Sequence, residues 1–319
     1  MAYEYVDIFS GAGLLSEGFR RAGFSPKAAF DLDSDAISSY RRNISNVAKV
    51  SDISVIPNDI KAPLLIAGPP CQGFSTLGRR DPKDSRNEMC LNVPLWAEAI
   101  GANMVVVENV PMFVKSSYWK KMDNALKEMG YEVDVWTLDA ADYGAPQHRK
   151  RSFTIASKIG MPSIPQKTNA ISSAWVFEPE SLKTNDPMHI WPTPVGIALE
   201  RIKIIPPCGD KRHLMDKAPN LCPESWFKLG NQATDVWGRI NPERPSNTLR
   251  CCFQNPSKGR YLHPSENRVI SLREGARLQG IPDSWLMSGT RTSIARQVGN
   301  GVPIPLSFSI ATAIRPVFS

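Results

Sequence analysis

No stretch of this 319-residue sequence approaches the roughly 18 consecutive apolar residues that suggest a membrane span. The first residues, Met1-Ala2-Tyr3-Glu4-Tyr5, lack the basic start and apolar stretch of a secretory signal and run directly into a strand pattern. Cysteine is scarce: six residues, at 71, 90, 208, 222, 251 and 252, contain no C-x-x-C pair. That spacing suggests neither a disulfide framework nor a zinc site, and free thiols in a reducing cytoplasm are expected. Cys208, His213 and Cys222 are the nearest approach to a ligand set, and no metal is expected. Internal repeats and low-complexity tracts are also absent.

What is present is a basic chain of ordinary globular composition. Hydrophobic residues make up 42% and charged residues 22%, and the net charge is +7. Residues 200–260 hold 11 Lys or Arg against 6 Asp or Glu, so most of the excess sits in one fifth of the chain. A basic region of this kind suits nucleic acid.

The first 157 residues alternate between two textures. Tyr3–Phe9, Lys27–Asp31, Leu64–Ala67, Met104–Glu108, Glu132–Leu138 and Ser152–Ala156 are short, apolar and often β-branched. Between several of them lie helical patterns at Leu15–Ala22, Asp35–Asn43, Val93–Ile100 and Trp119–Met129. This alternation predicts an α/β fold with a doubly wound, mostly parallel sheet. From about residue 160 prolines become frequent and periodicity fails, which reads as a second, smaller irregular region. Helices return at Ser271–Gln279 and Ile304–Ile314.

Chemistry-bearing motifs fall at the predicted strand ends. Asp7-Ile8-Phe9-Ser10-Gly11-Ala12-Gly13 joins the first strand to the first helix, where glycines let a ligand approach the backbone and the helix N-terminus favours anions. Asp31 ends the next strand, placed as carboxylates are that bind ribose hydroxyls. Asp52-Ile53 lies at another turn on the same edge. Gly68-Pro69-Pro70-Cys71-Gln72-Gly73-Phe74-Ser75 follows the strand at Leu64–Ala67; a cysteine on a Gly/Pro turn is not placed as a buried structural one would be. Glu108-Asn109-Val110 ends the next strand, so Cys71 and Glu108 should face one crevice. Gln147-His148-Arg149-Lys150-Arg151 precedes the last strand-like run.

In their order and spacing these motifs resemble those of the DNA (cytosine-5-)-methyltransferases of bacterial restriction-modification type. The resemblance continues through Arg244-Pro245-Ser246-Asn247-Thr248, Arg273–Gly280 and Gly299-Asn300-Gly301-Val302-Pro303, and so covers nearly the whole chain. Leu14 departs from it, standing where many members have a further glycine; its expected effect is on the packing of the first helix.

The resemblance implies the S-adenosylmethionine-dependent methyltransferase fold and methyl transfer to carbon 5 of cytosine in a specific duplex DNA sequence. Carbon 5 is a poor nucleophile, and a thiolate adding to carbon 6 converts the ring into an enamine able to attack a methyl group. Cys71 is the implied nucleophile, Glu108 the group that holds the ring nitrogen and exocyclic amine, and Arg149 and Arg151 the contacts to the cytosine oxygen and a phosphate. The target atom is unreachable in stacked DNA, so the base must be flipped out. The implied cofactor site comprises Phe9, Gly11, Gly13, Asp31, Asp52, Ile53, Pro70 and Asn300. DNA contacts are implied for Ser75, for Arg79 and Arg86 in a loop from Thr76 to Glu88 that closes over the substrate, and for Arg239, Arg244, Thr248 and Arg250. Residues 1–159 and 286–319 should form the catalytic domain and residues 160–285 the target-recognition domain. A cytoplasmic monomer is expected, with any cognate endonuclease acting separately and no membrane partner. Two alternatives are a transfer RNA cytosine-5 methyltransferase, of whose Cys-Phe-Thr signature Cys251-Cys252-Phe253-Gln254 is a partial echo, and a non-catalytic nucleic-acid-binding relative. The second would usually lose the nucleophile or its neighbours, and here they are present.

Overall fold

The computed structural model describes residues 3–70, 85–178, 185–229 and 234–319. Cys71, Ser75, Arg79 and the side chain of Arg86 lie outside what is described. The chain divides into two compact units, Met1–Gly144 with Arg149–Asn169 and Gly301–Ser319, and Ala145–His148 with Ala170–Asn300.

The first unit is built on a seven-stranded sheet. In chain order its elements are β1 (Tyr3–Ile8), α1 (Leu14–Arg21), β2 (Phe24–Asp31), α2 (Ser34–Asn43), β3 (Ala48–Val50), β4 (Leu64–Ala67), α3 (Asn92–Ile100), β5 (Met104–Asn109), α4 (Ser117–Glu128), β6 (Glu132–Asp139) and β7 (Lys150–Ser157). The strand order is β3-β2-β1-β4-β5-β7-β6. The first five strands pair in parallel, and β7 runs antiparallel to both neighbours. Strands β1, β4 and β5 occupy the middle. The runs Leu-Leu-Ile-Ala and Met-Val-Val-Val are buried throughout, as central strands covered on both faces must be. β2 begins three residues earlier than the expected start at Lys27. Pro26 is tolerated there because β3 pairs only with Ala29–Asp31, leaving that edge of β2 without a second neighbour.

Apolar Val93, Trp96, Ala97 and Ile100 of α3, with Met122 and Leu126 of α4, pack on the sheet beside Val105 and Val107. The last helix, α10 (Ile304–Ile314), packs along α1, where the Ser307 hydroxyl donates to the Leu15 carbonyl at 2.5 Å. The apolar stretch Arg291–Phe318 is broken at Gly301–Pro303, and α10 spends its hydrophobic face inside the protein. Leu14 is 2% exposed. A methyl group on Gly301 would stand 2.3 Å from its Cδ2 and 3.1 Å from its Cβ. The glycine missing at position 14 is thus matched by one at 301, and Leu14 acts on packing.

The second unit carries short helices α5 (Gly196–Ile204), α6 (Lys211–Lys217), α7 (Glu224–Leu229), α8 (Leu272–Leu278) and α9 (Arg291–Asn300). Among its described residues there is no strand of the sheet, only isolated bridges. Its small core gathers Ile202, Ile205, Leu214, Trp237, Leu262 and Val269. Ser271 and Glu274 form a reciprocal capping box that starts α8. The units divide at other positions than 160 and 285. Residues 160–169 are held to the first unit by the Thr168 amide donating to the Asp142 carbonyl at 2.7 Å. Gln147 belongs to the second, its side-chain amide donating to the Leu278 carbonyl at 2.7 Å, and Gln279 ties α9 to α8 through the Val298 carbonyl at 2.6 Å.

Candidate active site

The chemistry-bearing side chains of the first unit collect at the end of the sheet where β1, β4 and β5 terminate. β5 ends in Glu108-Asn109. Because β7 is antiparallel, it starts at that same end, with Ser152 opposite Asn109 and Phe153 opposite Glu108. Arg151 therefore enters beside Glu108, and its Nε lies 2.9 Å from Glu108 Oε1. Burial pushes the Glu108 carboxyl above its usual range, and the charges of Arg151 and then Arg149 pull against that shift. Arg149 is 2% exposed, and its backbone amide donates to Asp139 Oδ1 at 2.8 Å.

The turn after β4 is fastened to the same place. The Asn109 side-chain amide donates to the Pro69 carbonyl at 3.2 Å, and the Gly68 amide to the Ile8 carbonyl at 3.3 Å. A methyl group on Gly68 would stand 3.7 Å from Glu108 Oε2. The stem leading into Pro70 thus lies against the Glu108 carboxyl. Asn109 was not singled out as a functional residue from sequence, although it adjoins the glutamate.

At the neighbouring strand ends the β1–α1 turn forms an open cradle. Phe9 has φ of +58°, a left-handed conformation that costs a non-glycine residue about 1–2 kcal/mol and ends β1 one residue short of the expected boundary. Gly11 follows at φ +52°, and nothing lies within 4 Å of where its side chain would stand. Its amide donates to Asp31 Oδ2 at 2.8 Å, and the Asp33 amide to Asp31 Oδ1 at 2.8 Å. Burial raises the Asp31 pKa, and these two amides counter it in part. Ser10 Oγ is buried with no hydrogen-bond partner among the described residues. Leu32, Val50 and Val55, which were not among the expected site residues, are exposed close in sequence to Asp31 and Asp52.

Asp52 is exposed, and the Ser54 amide, donating at 2.9 Å, holds its pKa down. Ile53 differs from expectation: its side chain is 2% exposed in the core, and its carbonyl accepts the Trp96 indole N–H at 2.6 Å. It anchors the turn, leaving only its backbone to meet a ligand. Gly13 N-caps α1 with φ of +87°.

Beneath the cradle lies a network that sequence reading missed. Asp7, 1% exposed, accepts the Ser16 hydroxyl at 2.5 Å, and Ser16 Oγ is 2.9 Å from the Tyr40 hydroxyl. Tyr5 donates to the Ser16 carbonyl at 3.1 Å. Burial raises the Asp7 pKa to about 8; the Ser16 hydrogen bond opposes this, and the charge of Asp31 adds to it. The only sequence signal was a carboxylate amid the apolar residues of a strand.

In the second unit the expected DNA contacts fall into different situations. Arg239 is 3% exposed and is corrected from DNA contact to frame. Its five N–H donors go to the Ile202, Ile205, His263 and Glu266 carbonyls and to Asn267 Oδ1. A guanidinium so engaged has no donor left for a phosphate or base. Arg244 is exposed, while its carbonyl accepts the Ser173 amide at 3.1 Å. The Thr248 hydroxyl donates to the His148 carbonyl at 2.7 Å, and Arg250 donates to the Lys258 carbonyl at 2.7 Å. Asn300 is the exposed last residue of α9.

The Asp7 geometry generates a prediction. Asp7→Asn keeps the shape and the acceptor for Ser16 but cannot ionise. With a folded pKa near 8 and an ordinary unfolded value of 3.8, the neutral carboxyl contributes stability fully at acid pH. That contribution falls as pH rises from about 3.8 to about 8, because over that range the unfolded chain has released the proton that the folded protein still holds. Urea unfolding of both proteins from about pH 5 to about pH 9 should show the variant gaining stability relative to the parent. Parallel pH profiles would refute the assignment.

The family model described as C-5 cytosine-specific DNA methylase matches residues 3–187 and 212–315. The type II methyltransferase M.DdeI of Desulfomicrobium norvegicum is 29% identical over 374 residues, covering 97% of this chain and 88% of that protein. The type II methyltransferase M1.BsuMI of Bacillus subtilis is 31% identical over 339 residues, covering 96% and 79%. Among solved structures, the Dnmt2 methyltransferase of S. pombe superposes with a TM-score of 0.67 at 17% identity, covering 99% of each chain. The Entamoeba histolytica methyltransferase EhMeth gives 0.68 at 16%, covering 100% and 99%. Both structures share the fold of S-adenosylmethionine-dependent methyltransferases seen here. The chain belongs to the C-5 cytosine-specific DNA methylase family.

Proposed function

We propose that this methyltransferase modifies carbon 5 of cytosine within a specific duplex DNA sequence, through a covalent bond between Cys71 and a base flipped out of the helix. The observation that carries this reading is the buried Glu108–Arg151 pair, set against the stem of the turn whose next residue is Cys71. A free thiol has a pKa of about 8.5 and needs its surroundings to reach the thiolate. Cys71 adds to carbon 6, forming a sulfur–carbon bond and placing electron density on carbon 5, the atom that receives the methyl group. Loss of the carbon 5 proton and cleavage of the sulfur–carbon bond then restore the aromatic ring and the thiol.

Glu108 does the electrostatic work. Arg151 engages Oε1, which leaves Oε2 to face the ring nitrogen, and burial, which raises the carboxyl pKa, favours sharing a proton there as charge develops. The Arg151 fork also suits the cytosine oxygen, and Arg149 supports the negative side of the pair.

The residues around the β1–α1 turn fit S-adenosylmethionine, which supplies a methyl group on a positively charged sulfur. Gly11 opens onto unfilled space, Ser10 Oγ awaits a partner, Asp31 offers a carboxylate, and exposed Leu32 offers an apolar face. Phe9, Gly13, Asp52, the Ile53 backbone, Pro70 and Asn300 complete the proposed site.

The second unit is the proposed reader of DNA. It holds most of the excess positive charge, suited to positioning on phosphates, and it is rich in loops framed by short helices. Arg244, Thr248 and Arg250 are the proposed contacts there, with Ser75, Arg79 and Arg86 from the loop after Cys71. Exchange of residues 165–245 for the matching segment of a relative with another site should transfer specificity. An active hybrid that still modifies the original site would contradict this.

The reaction is tested by incubating the protein with radiolabelled S-adenosylmethionine and, separately, duplex DNA and transfer RNA. Label should enter duplex DNA as 5-methylcytosine. Cys71→Ser should abolish transfer while leaving DNA binding in place, because a hydroxyl is far less nucleophilic than a thiolate at neutral pH. Label confined to transfer RNA, or full turnover by the serine variant, would overturn the proposal.

A further inference from the structure

Two of the six cysteines are adjacent, and neither has a part in the proposed reaction. Cys251 is exposed and Cys252 half-buried, and both line a cavity of about 240 Å³ between the 251–255 turn and α9. As consecutive residues lining the same cavity, their thiols are close neighbours. We propose that Cys251 and Cys252 form a dithiol modification site, closed to a disulfide by exchange with a small anionic disulfide of the glutathione class.

Backbone packing holds the pair in place. A methyl group on Gly299 would stand 2.4 Å from the Cys251 nitrogen and 2.5 Å from the Arg250 carbonyl, so the last turn of α9 lies directly on the peptide between residues 250 and 251. The surrounding charge selects the reagent. Arg250 and Lys258 act on Cys252, and Arg291 lines the cavity, so carboxylates on an incoming disulfide meet three cations. Burial pushes the Cys252 thiol up, which makes the exposed Cys251 the point of entry. Its thiolate attacks one sulfur of the reagent and releases one small thiol, leaving a mixed disulfide on Cys251. Cys252, giving up its proton to solvent, then attacks the Cys251 sulfur and expels the second small thiol. Two protein thiols are oxidised and one small disulfide is reduced to two thiols.

The bond so formed is readily reversed. Disulfides usually join α-carbons about 4.4–6.8 Å apart, whereas consecutive residues are held at about 3.8 Å, so the ring is strained and easily reduced.

The test treats the folded, full-length protein with glutathione disulfide, alkylates the remaining free thiols and maps the peptides by mass. Residues 251 and 252 should lose alkylation together as one internally linked peptide, and reduced glutathione should restore both. In Cys252→Ser the second step is blocked, so one glutathione should remain on Cys251; in Cys251→Ser neither product should form at this site. Retained alkylation of both residues in the parent protein, a bond from either to another cysteine, or a Cys252→Ser protein that carries no glutathione on Cys251 would overturn the proposal.

Discussion

The buried ion pair between Glu108 and Arg151 is the constraint on which the rest of the site depends. A carboxylate at the end of a central strand is costly to bury unless a cation meets it there. In a wholly parallel sheet, the strand beside β5 would end where Glu108 ends and begin at the far edge. The antiparallel course of β7 removes that difficulty: its first residues lie beside the last residues of β5, so Arg151 reaches Glu108 at 2.9 Å. The same strand end fixes Asn109, which clasps the Pro69 carbonyl and hence the stem leading toward Cys71. One reversal of strand direction thereby places Glu108 and its cation at the edge where the stem leading toward Cys71 is held.

The cradle beside it is organised by carboxylates of unlike character. Asp31 has both oxygens held by backbone amides and so braces the Gly11 turn from outside. Asp7, a few residues before that turn, is sealed beneath it and accepts the Ser16 hydroxyl, whose oxygen also meets the Tyr40 hydroxyl. The raised pKa of Asp7 disfavours a second negative charge beneath the loop that Asp31 braces. The left-handed Phe9 between them is the strained link that turns the chain from strand to helix.

Much of this was legible in the sequence, for physical reasons. Strands β4 and β5 are continuous apolar runs, and α1 to α4 show the 3.6-residue period, so the alternation of elements could be read directly. β3 could not: three residues with two exposed leave no pattern. Helices α5 to α7 lie among prolines, and α9 offers only Ile294, Ala295 and Val298 as apolar anchors. The antiparallel sense of β7 is likewise invisible in a string of residues. Glu108 and Asp31 were recognisable because chemistry demands a carboxylate at a strand end. Asp7, Asn109 and the burial of Arg239 were not, because their roles are set by partners distant in sequence. Arg239 shows the limit plainly: a basic residue in a basic segment reads as a phosphate contact until its five donors are followed to their acceptors.

The central claim is that the Glu108 edge serves a covalent step on cytosine. It is tested most directly with duplex DNA carrying 5-fluorocytosine at a site the protein is shown to methylate. Fluorine cannot leave carbon 5 as a proton does, so the sulfur–carbon bond should persist after methyl transfer. The account predicts a denaturation-resistant protein–DNA adduct, formed only with S-adenosylmethionine present and mapped to the peptide containing Cys71. Absence of any adduct at a proven target, or an adduct mapped to another cysteine, would contradict it.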